Sequence, residues 1–321
     1  MSVVQYAVAS DTGRKRRRNE DNYVAAPPLF AVADGMGGAQ GGEVASRLAA
    51  SVVERSDSAL AGPERVVAMI EEANRRIFEQ AASDPAVSGM GTTMTVALVE
   101  GTTVLFGHVG DSRAYLVRGE TLEQLTEDHS LVNELLKSGK LSPAEAHGHP
   151  QRSVIMRAVG TDAHVEVDAF RVEAEDGDVF LLCSDGLTDM VDDAAILEVV
   201  EKRRDDLDAV VRALVEAANR RGGDDNITAV AFRVAASAVD ETLQMAAVEP
   251  LEETREQAAP DDPAADTVVI PPGQIPDELL EARREPRRRT EPASPGGRLR
   301  LALMVALFVV AVALLVWGLV R

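Results

Sequence analysis

The sequence predicts an α+β fold in which helices cover antiparallel β-sheets. In residues 1 to 236, short apolar runs with strand character follow one another in pairs. A parallel doubly wound sheet would instead alternate one strand with one helix. Longer segments between these pairs repeat Ala, Leu and Val at helical spacing, and Gly- and Asp-rich turns separate the elements.

Each predicted element follows from its own pattern. The predicted strands are Val3–Ala9, Phe30–Asp34, Thr93–Val99, Thr103–Val109, Ala114–Val117, Asp178–Ser184 and Ile227–Val234. The predicted helices are Glu43–Arg55, Glu64–Ala82, Ser130–Lys137, Asp193–Arg203 and Leu207–Arg220. Because aromatic residues make up only 3% of the chain, we expect a core built mainly from Ala, Val and Leu.

The charge of the chain argues against a nucleic-acid partner. The formal net charge is −20, whereas binding to phosphate backbones needs a broad positive surface. The basic run Arg14–Arg18 is better explained as solvated surface, or as local attraction for an anionic substrate. Cys183 is the only cysteine, which excludes an internal disulfide and fits a reducing compartment.

Composition divides the remainder of the chain into two further regions. Residues 237–298 are rich in Pro, Glu and Arg without hydrophobic periodicity, which predicts a disordered linker. Residues 299–320 include the uncharged segment Leu301–Val320, which is long enough for one transmembrane helix. Arginines cluster on the N-terminal side of this segment, so the positive-inside rule places the globular domain in the cytoplasm, anchored to the cell membrane.

Acidic residues follow several of the apolar strands. Asp34, Asp111 and Asp185 each end such a strand beside a glycine, Asp225 lies just before a strand, and Glu20 is a fifth acid near the N-terminus. Carboxylates arranged in this way are typical of a metal site, although any one Asp-Gly pair is more often an ordinary turn.

Longer sequence motifs distinguish these possibilities. In chain order they are SDTGRKRRRNEDNY (10–23), VADGMGGAQGGE (32–43), GMGTTMTVALV (89–99), GHVGDSRAYLV (107–117), LTEDHSLV (125–132), LCSDGLTDMV (182–191) and GGDDNITAVAF (222–232). This series resembles the motifs of the PPM/PP2C family of protein phosphatases, in its bacterial membrane-anchored form. The resemblance implies an αββα sandwich of two antiparallel sheets flanked by helices.

The resemblance also implies a binuclear Mn²⁺ or Mg²⁺ site. Asp34 would bridge two ions, with Glu20 and the Gly35 carbonyl on one of them. Asp185 and Asp225 would hold the other ion. Asp111, together with Asp185, would hold a weaker third ion, Arg16 would bind the phosphate, and Asp21 would support the ligands.

The implied reaction is hydrolysis of phosphoserine and phosphothreonine by a hydroxide shared between the ions. A ligand set made only of oxygen fits Mg²⁺ or Mn²⁺ better than zinc. The partners would be phosphorylated proteins and a membrane-bound serine/threonine kinase whose signal the enzyme reverses.

The chain departs from the family pattern where a general acid is sought. Met36 and Ala39 occupy positions at which relatives carry histidine, so the acid stays unassigned. His129 and His149 are candidates by neighbourhood only, and metal-bound water is an equal alternative. Cys183 is not a phosphatase nucleophile, because Asp189 stands where a phosphate-binding arginine would be required.

Two further segments suggest roles in substrate choice and in regulation by a kinase. Residues 129–160 resemble the family's flap, a helix–loop–helix beside the active site that shapes substrate choice. In the linker, Thr242 and Thr267 each follow an acid and precede an apolar residue, which makes them candidate kinase sites.

Two other functions are compatible with these residues. A pseudophosphatase scaffold would bind phosphoproteins without turnover, although all the implied ligands are present. A hydrolase of small phosphoesters would use the same residues, and competition between a peptide and a metabolite would distinguish it.

Overall fold

Two antiparallel sheets form the centre of the protein in a computed structural model that describes residues 2–56, 61–146, 149–235 and 268–269. The first sheet has the order β1 (Ser2–Asp11), β12 (Ile227–Ala235), β11 (Val179–Cys183), β7 (Arg113–Arg118) and β8 (Thr121–Gln124). The second has the order β10 (Asp168–Glu173), β6 (Thr103–Val109), β5 (Met94–Glu100), β3 (Leu29–Met36) and β2 (Asp21–Ala26). The short strand β4 (Gly91–Thr92) pairs with the end of β3.

Helices cover the outer face of each sheet. The second sheet packs against α1 (Gly38–Glu54) and α2 (Pro63–Ser83), which a 3-10 turn, Pro85–Val87, follows. The first sheet packs against α5 (Asp185–Thr188), α6 (Asp193–Lys202) and α7 (Leu207–Arg220). Two short helices, α3 (Leu131–Lys137) and α4 (Pro143–Ala146), lie in the segment between β8 and β10.

The facing sides of the two sheets enclose a layer of aromatic and branched side chains. Phe30 of β3 stacks on Phe232 of β12 with ring centroids 4.2 Å apart, and Phe180 of β11 stacks on Phe232 at 5.1 Å. Because alternate residues of a strand point to opposite faces, the intervening residues pack against the helices. The αββα sandwich implied by the family resemblance is confirmed.

Capping side chains explain where the helices that cover the first sheet begin. The Asp192 and Asp206 carboxylates accept hydrogen bonds from the Ala195 and Ala209 N–H groups, and so cap α6 and α7. Ser130 caps α3 in the same way, through the Asn133 N–H. The predicted helix that included Ser130 therefore begins one residue later than expected.

Several elements differ from the sequence prediction. Strand β3 continues through Asp34 to Met36, because Gly35 and Met36 pair with β4. Strands β2, β8 and β10 were not predicted from the sequence. Strand β10 is an edge strand whose residues are half-buried or exposed, so it lacks an apolar run.

The segment 129–160 contains more than the predicted helices. After α3 and α4 it forms β9 (Val154–Ile155), which pairs in parallel with β13 (Val268–Val269). Apart from β13, the predicted linker 237–298 and the predicted membrane helix 299–320 lie outside the described residues, as do Thr242 and Thr267. Among the described helices, none combines the length and the apolar character that a membrane span requires.

Candidate active site

Asp34 lies near the end of β3, directly opposite Asp21 on the neighbouring strand β2. Its backbone N–H donates to the Thr93 hydroxyl over 3.0 Å. Its carbonyl accepts hydrogen bonds from the Thr93 N–H and from the Thr92 hydroxyl, each 2.8 Å long. These three hydrogen bonds fix the peptide from which the Asp34 carboxylate extends.

Asp185 and Asp225 approach the same end of the sandwich from the first sheet. Asp185 is the first residue of α5, which begins two residues after the last residue of β11, and Asp225 lies just before β12. Their two loops meet at Gly186, where an added Cβ would lie 2.0 Å from the carbonyl oxygen of Asn226. Glycine at this position is therefore what allows the two loops to approach each other.

Asp111 follows β6 and is 7% exposed. The hydroxyl of the next residue, Ser112, lies 2.7 Å from the Thr93 hydroxyl, which also accepts the Asp34 N–H. One buried threonine therefore connects the loop of Asp34 with the loop of Asp111.

The pKa values of these aspartates are raised together. Burial and the neighbouring carboxylates raise the pKa of Asp34 and of Asp185 well above the usual range. Burial raises the pKa of Asp111 to about 7 and that of Asp21 to about 6, and it also raises the pKa of Asp225. Negative charge concentrated in a desolvated site is the setting that a bound cation stabilises.

Glu20 and Gly35 meet at α1. The Oε2 atom of Glu20 and the carbonyl oxygen of Gly35 lie 2.3 Å and 2.8 Å from the point that a Cβ on Gly42 would occupy. Two oxygen atoms from separate parts of the chain therefore converge on one glycine of α1. The structure places close together the two residues that the family resemblance assigned to one metal ion.

Arg16 reaches the acids from the loop between β1 and β2. Its Nη2 donates to Asp225 Oδ2 over 2.8 Å. Burial opposes the charge on Arg16, but the carboxylates of Asp225, Asp34 and Asp185 raise its pKa overall. Its neighbour Lys15 forms an ion pair with Asp224, so this part of the basic run is tied to the protein's own acids.

The residues present fit a divalent cation. Buried carboxylate oxygens of Asp21, Asp111 and Asp185 have no hydrogen-bond partner, and leaving such a group unpaired costs about 1–3 kcal/mol or more. In the described part of the chain, no three His, Cys, Asp or Glu side chains form a ready-made metal cage. Mg²⁺ tolerates this arrangement, because it usually keeps several waters and takes one or two protein carboxylates.

The sequence did not assign Asp189, Arg152 or Gly42 to the site, although all three lie near its residues. Asp189 is close enough to contribute to the raised pKa of Asp111 and Asp185, and its Oδ2 accepts a 2.9 Å hydrogen bond from Arg152 Nε. Asp189 lies in the same motif as Asp185, and this shared motif is a sequence signal that places Asp189 near the site. Gly42 lies in the GGE that ends another motif, but its contact with Glu20 depends on the path of α1.

The residues discussed for the role of general acid, His129, His149 and Met36, make other contacts. His129 Nδ1 accepts the Gly110 N–H, and His149 Nδ1 accepts the Gln151 N–H, at 3.0 Å and 3.2 Å. Burial and the charge of Arg157 lower the pKa of His129. Met36 packs against Ile155 and Ala158 of the segment 129–160, so this position supplies an apolar contact.

Cys183 is buried in the first sheet's outer core. Burial raises the pKa of its thiol to about 12, so the sulfur stays protonated at neutral pH. The sequence prediction that this residue is no nucleophile agrees with its environment.

Comparison with known proteins identifies the family. The family profile "Protein phosphatase 2C" matches residues 14–230. The serine/threonine phosphatase Stp of Listeria innocua is 40% identical over 231 residues, covering 68% of this chain and 91% of that protein. The crystal structure of the Mycobacterium tuberculosis serine/threonine phosphatase PstP/Ppp is 41% identical with a TM-score of 0.69, covering 73% of this chain and 100% of that one.

A second solved structure, the catalytic domain of PstP in complex with two manganese ions, is 39% identical with a TM-score of 0.68. It covers 74% of this chain and 100% of its own. The chain therefore belongs to the protein phosphatase 2C family. The enzyme class predicted from the sequence, a metal-dependent protein serine/threonine phosphatase, is confirmed.

Proposed function

We propose that this chain hydrolyses phosphoserine and phosphothreonine in proteins at a binuclear Mn²⁺ or Mg²⁺ site. The cluster of buried aspartates beside Arg16 carries the proposal. It offers oxygen ligands to hard cations, and Arg16 offers a guanidinium to the phosphate. The two manganese ions bound by the PstP catalytic domain support the same number here.

The positions of these residues are compatible with the ligand roles that the family resemblance implies. Asp34, in the middle of the cluster, would contribute to two ions, and Glu20 with the Gly35 carbonyl would complete the first of them. Asp185 and Asp225 would hold the second ion. Asp111, whose unpartnered Oδ1 is buried, would join Asp185 at a third and weaker position.

When bound, the ions would supply Lewis acidity and an activated water for in-line attack on phosphorus. Arg16 binds the equatorial phosphate oxygens, which compete with Asp225 for its guanidinium. Thr93 keeps the loops of Asp34 and Asp111 in register, so the two carboxylates need no rearrangement when substrate binds.

We also propose that the enzyme acts at the cytoplasmic face of the cell membrane and reverses the signal of a serine/threonine kinase. The uncharged segment Leu301–Val320 and the arginines before it support this location. The similarity to serine/threonine phosphatases supports phosphoprotein substrates.

Phosphate release from a phosphothreonine peptide by the full chain in detergent tests the function. We expect turnover with Mn²⁺, none with chelator, and none for Asp34→Asn. Asp205→Asn, an exposed aspartate between α6 and α7, is the matched control and should behave as wild type. A folded wild-type protein that binds Mn²⁺ but releases no phosphate would instead support a scaffold. Preference for a small phosphoester over the peptide would support a metabolite hydrolase.

A further inference from the structure

His129 forms hydrogen bonds with the backbone of Gly110, at the point where the pairing of β6 with β5 ends. Strand β6 pairs with β5 as far as Val109, opposite Met94. For the next residue, the Gly110 N–H donates to His129 Nδ1 over 3.0 Å, and its carbonyl accepts the His129 N–H over 2.8 Å. Both backbone groups of the residue before Asp111 are therefore paired with one histidine.

Gly110 itself has little freedom. Its φ of +112° is a conformation that side chains disfavour, and an added Cβ would lie 2.6 Å from the Thr93 side chain. Thr93 and His129 thus hold this turn from two sides, and the direction of the Asp111 carboxylate follows from the turn.

Asp168 selects the tautomer of His129 that can do this. A backbone N–H only donates, so Nδ1 must be the acceptor and the imidazole hydrogen must be on Nε2. Nε2 lies 3.1 Å from Asp168 Oδ2, which accepts that hydrogen. The Arg157 guanidinium, also 3.1 Å from Nε2, donates instead to Asp168 Oδ1 over 2.6 Å.

His129 is also the point at which the two arms of the segment 129–160 meet. Its carbonyl accepts the Met156 N–H over 2.8 Å, and the next residue, Ser130, forms a bridge with Ile155. The first residue of the segment therefore contacts its returning arm and the Asp111 turn at the same time.

We infer that His129 is a positioning residue, held by Asp168, that orients Asp111 for metal binding and couples that orientation to the segment 129–160. The inference rests on the proposed function, because it takes Asp111 as a ligand of the weakest metal position. It assigns His129 no part in proton transfer to the leaving group.

Two substitutions of His129 distinguish its nitrogen atoms. In His129→Asn the amide oxygen can occupy the Nδ1 position and accept the Gly110 N–H. In His129→Gln the longer amide reaches the Nε2 position, so the contact with Asp168 is kept and the contact with Gly110 is lost. Asp168→Asn is an independent variant at a 40% exposed side chain, and its amide N–H favours the tautomer that cannot accept from Gly110.

The experiment is a calorimetric Mn²⁺ titration of chelator-treated full chain, with unfolding temperature and turnover of a phosphothreonine peptide and p-nitrophenyl phosphate. We expect His129→Gln and Asp168→Asn to weaken the weakest Mn²⁺ site by about tenfold, as loss of a ligand-orienting partner does. His129→Asn should lose clearly less, and both substrates should be affected by the same factor. His164→Gln, at an exposed histidine, is the control and should bind Mn²⁺ as wild type.

Three results would overturn the inference. Equal losses for His129→Asn and His129→Gln would reduce His129 to a packing role, and unchanged Mn²⁺ binding in Asp168→Asn would remove the role of the tautomer. A loss of kcat on the peptide alone, with KM unchanged, would make His129 a general acid, since p-nitrophenolate leaves without protonation. If wild type itself shows no Mn²⁺-dependent turnover, the proposed function fails first, and the titration still reports on His129.

Discussion

The Glu20 carboxylate lies against the bare backbone of Gly42, with Oε2 2.3 Å from the point that a Cβ would occupy. The same point is 2.7 Å from the carbonyl carbon of Gly35. At position 42, helix α1 therefore approaches two proposed ligands of one ion more closely than any residue with a Cβ would allow.

Gly42→Ala should weaken Mn²⁺ binding and lower activity at limiting Mn²⁺ by about tenfold, because the new methyl group displaces Glu20. The matched control is Gly41→Ala in the same helix, whose Cβ would lie 3.0 Å from the Met90 Cβ and not against a ligand. Turnover measured against Mn²⁺ concentration compares the two variants. Similar curves for both would show that the close approach to Glu20 has no functional role.

The metal-free protein should lose stability as the pH rises. The folded pKa values of Asp111 and Asp21, about 7 and about 6, exceed the ordinary value of 3.8. Between about pH 4 and pH 7 the folded chain therefore binds more protons than the unfolded chain, so the free energy of unfolding falls with rising pH. The unfolding temperature in chelator, measured from about pH 5 to pH 8, should decline accordingly.

Added Mn²⁺ should oppose this decline, because the ions bind the ionised carboxylates. The stabilisation by Mn²⁺ should accordingly be largest at the upper end of the pH range. Asp111→Asn should flatten the decline in chelator, since it removes one of the shifted groups. An unfolding temperature that does not change with pH in chelator would contradict the raised pKa values of these buried acids.

Arg152→Ala should change substrate recognition more than stability. The Arg152–Asp189 ion pair is partly exposed, and pairs of this kind contribute about 0–1 kcal/mol. Its loss removes one of the contacts between the segment 129–160 and the acid cluster, so KM for a phosphopeptide should rise relative to KM for p-nitrophenyl phosphate. Arg171→Ala, at an exposed arginine of β10, is the control. Equal changes in both KM values would show that the segment does not contact the peptide.

Arg16→Lys should raise KM for the phosphopeptide by about tenfold or more, because lysine lacks the planar fork that binds two phosphate oxygens. Steady-state kinetics at saturating Mn²⁺ measures this effect. Lys15→Gln removes a neighbouring positive charge outside the cluster and serves as the comparison. If both variants raise KM equally, Arg16 acts by general attraction and not by contact.

The sequence predicted the acids of the site better than it predicted what holds them. Asp34, Asp111, Asp185 and Asp225 lie next to apolar strands, and strand ends at one side of a sandwich must converge. The roles of Thr93 and His129 depend on contacts between residues distant in the chain. No local pattern indicates which hydroxyl will meet the Asp34 N–H, or which tautomer Asp168 will select.

The same reasoning explains the strands that were missed. Strand β10 pairs with β6 through its backbone, while its side chains alternate between half-buried and exposed positions. An edge strand of this kind contributes little to the core, so hydrophobic periodicity does not reveal it. The central strands β5 and β11 are buried on both faces, and their continuous apolar runs were recognised.

The burial of Cys183 also affects how the enzyme can respond to oxidants. It is the only cysteine in the sequence, and the raised pKa of its thiol leaves almost no thiolate at neutral pH. Peroxide attacks thiolates, so it has no reactive sulfur to modify at this residue. Dephosphorylation by this chain should therefore continue under oxidative stress that silences cysteine-dependent phosphatases.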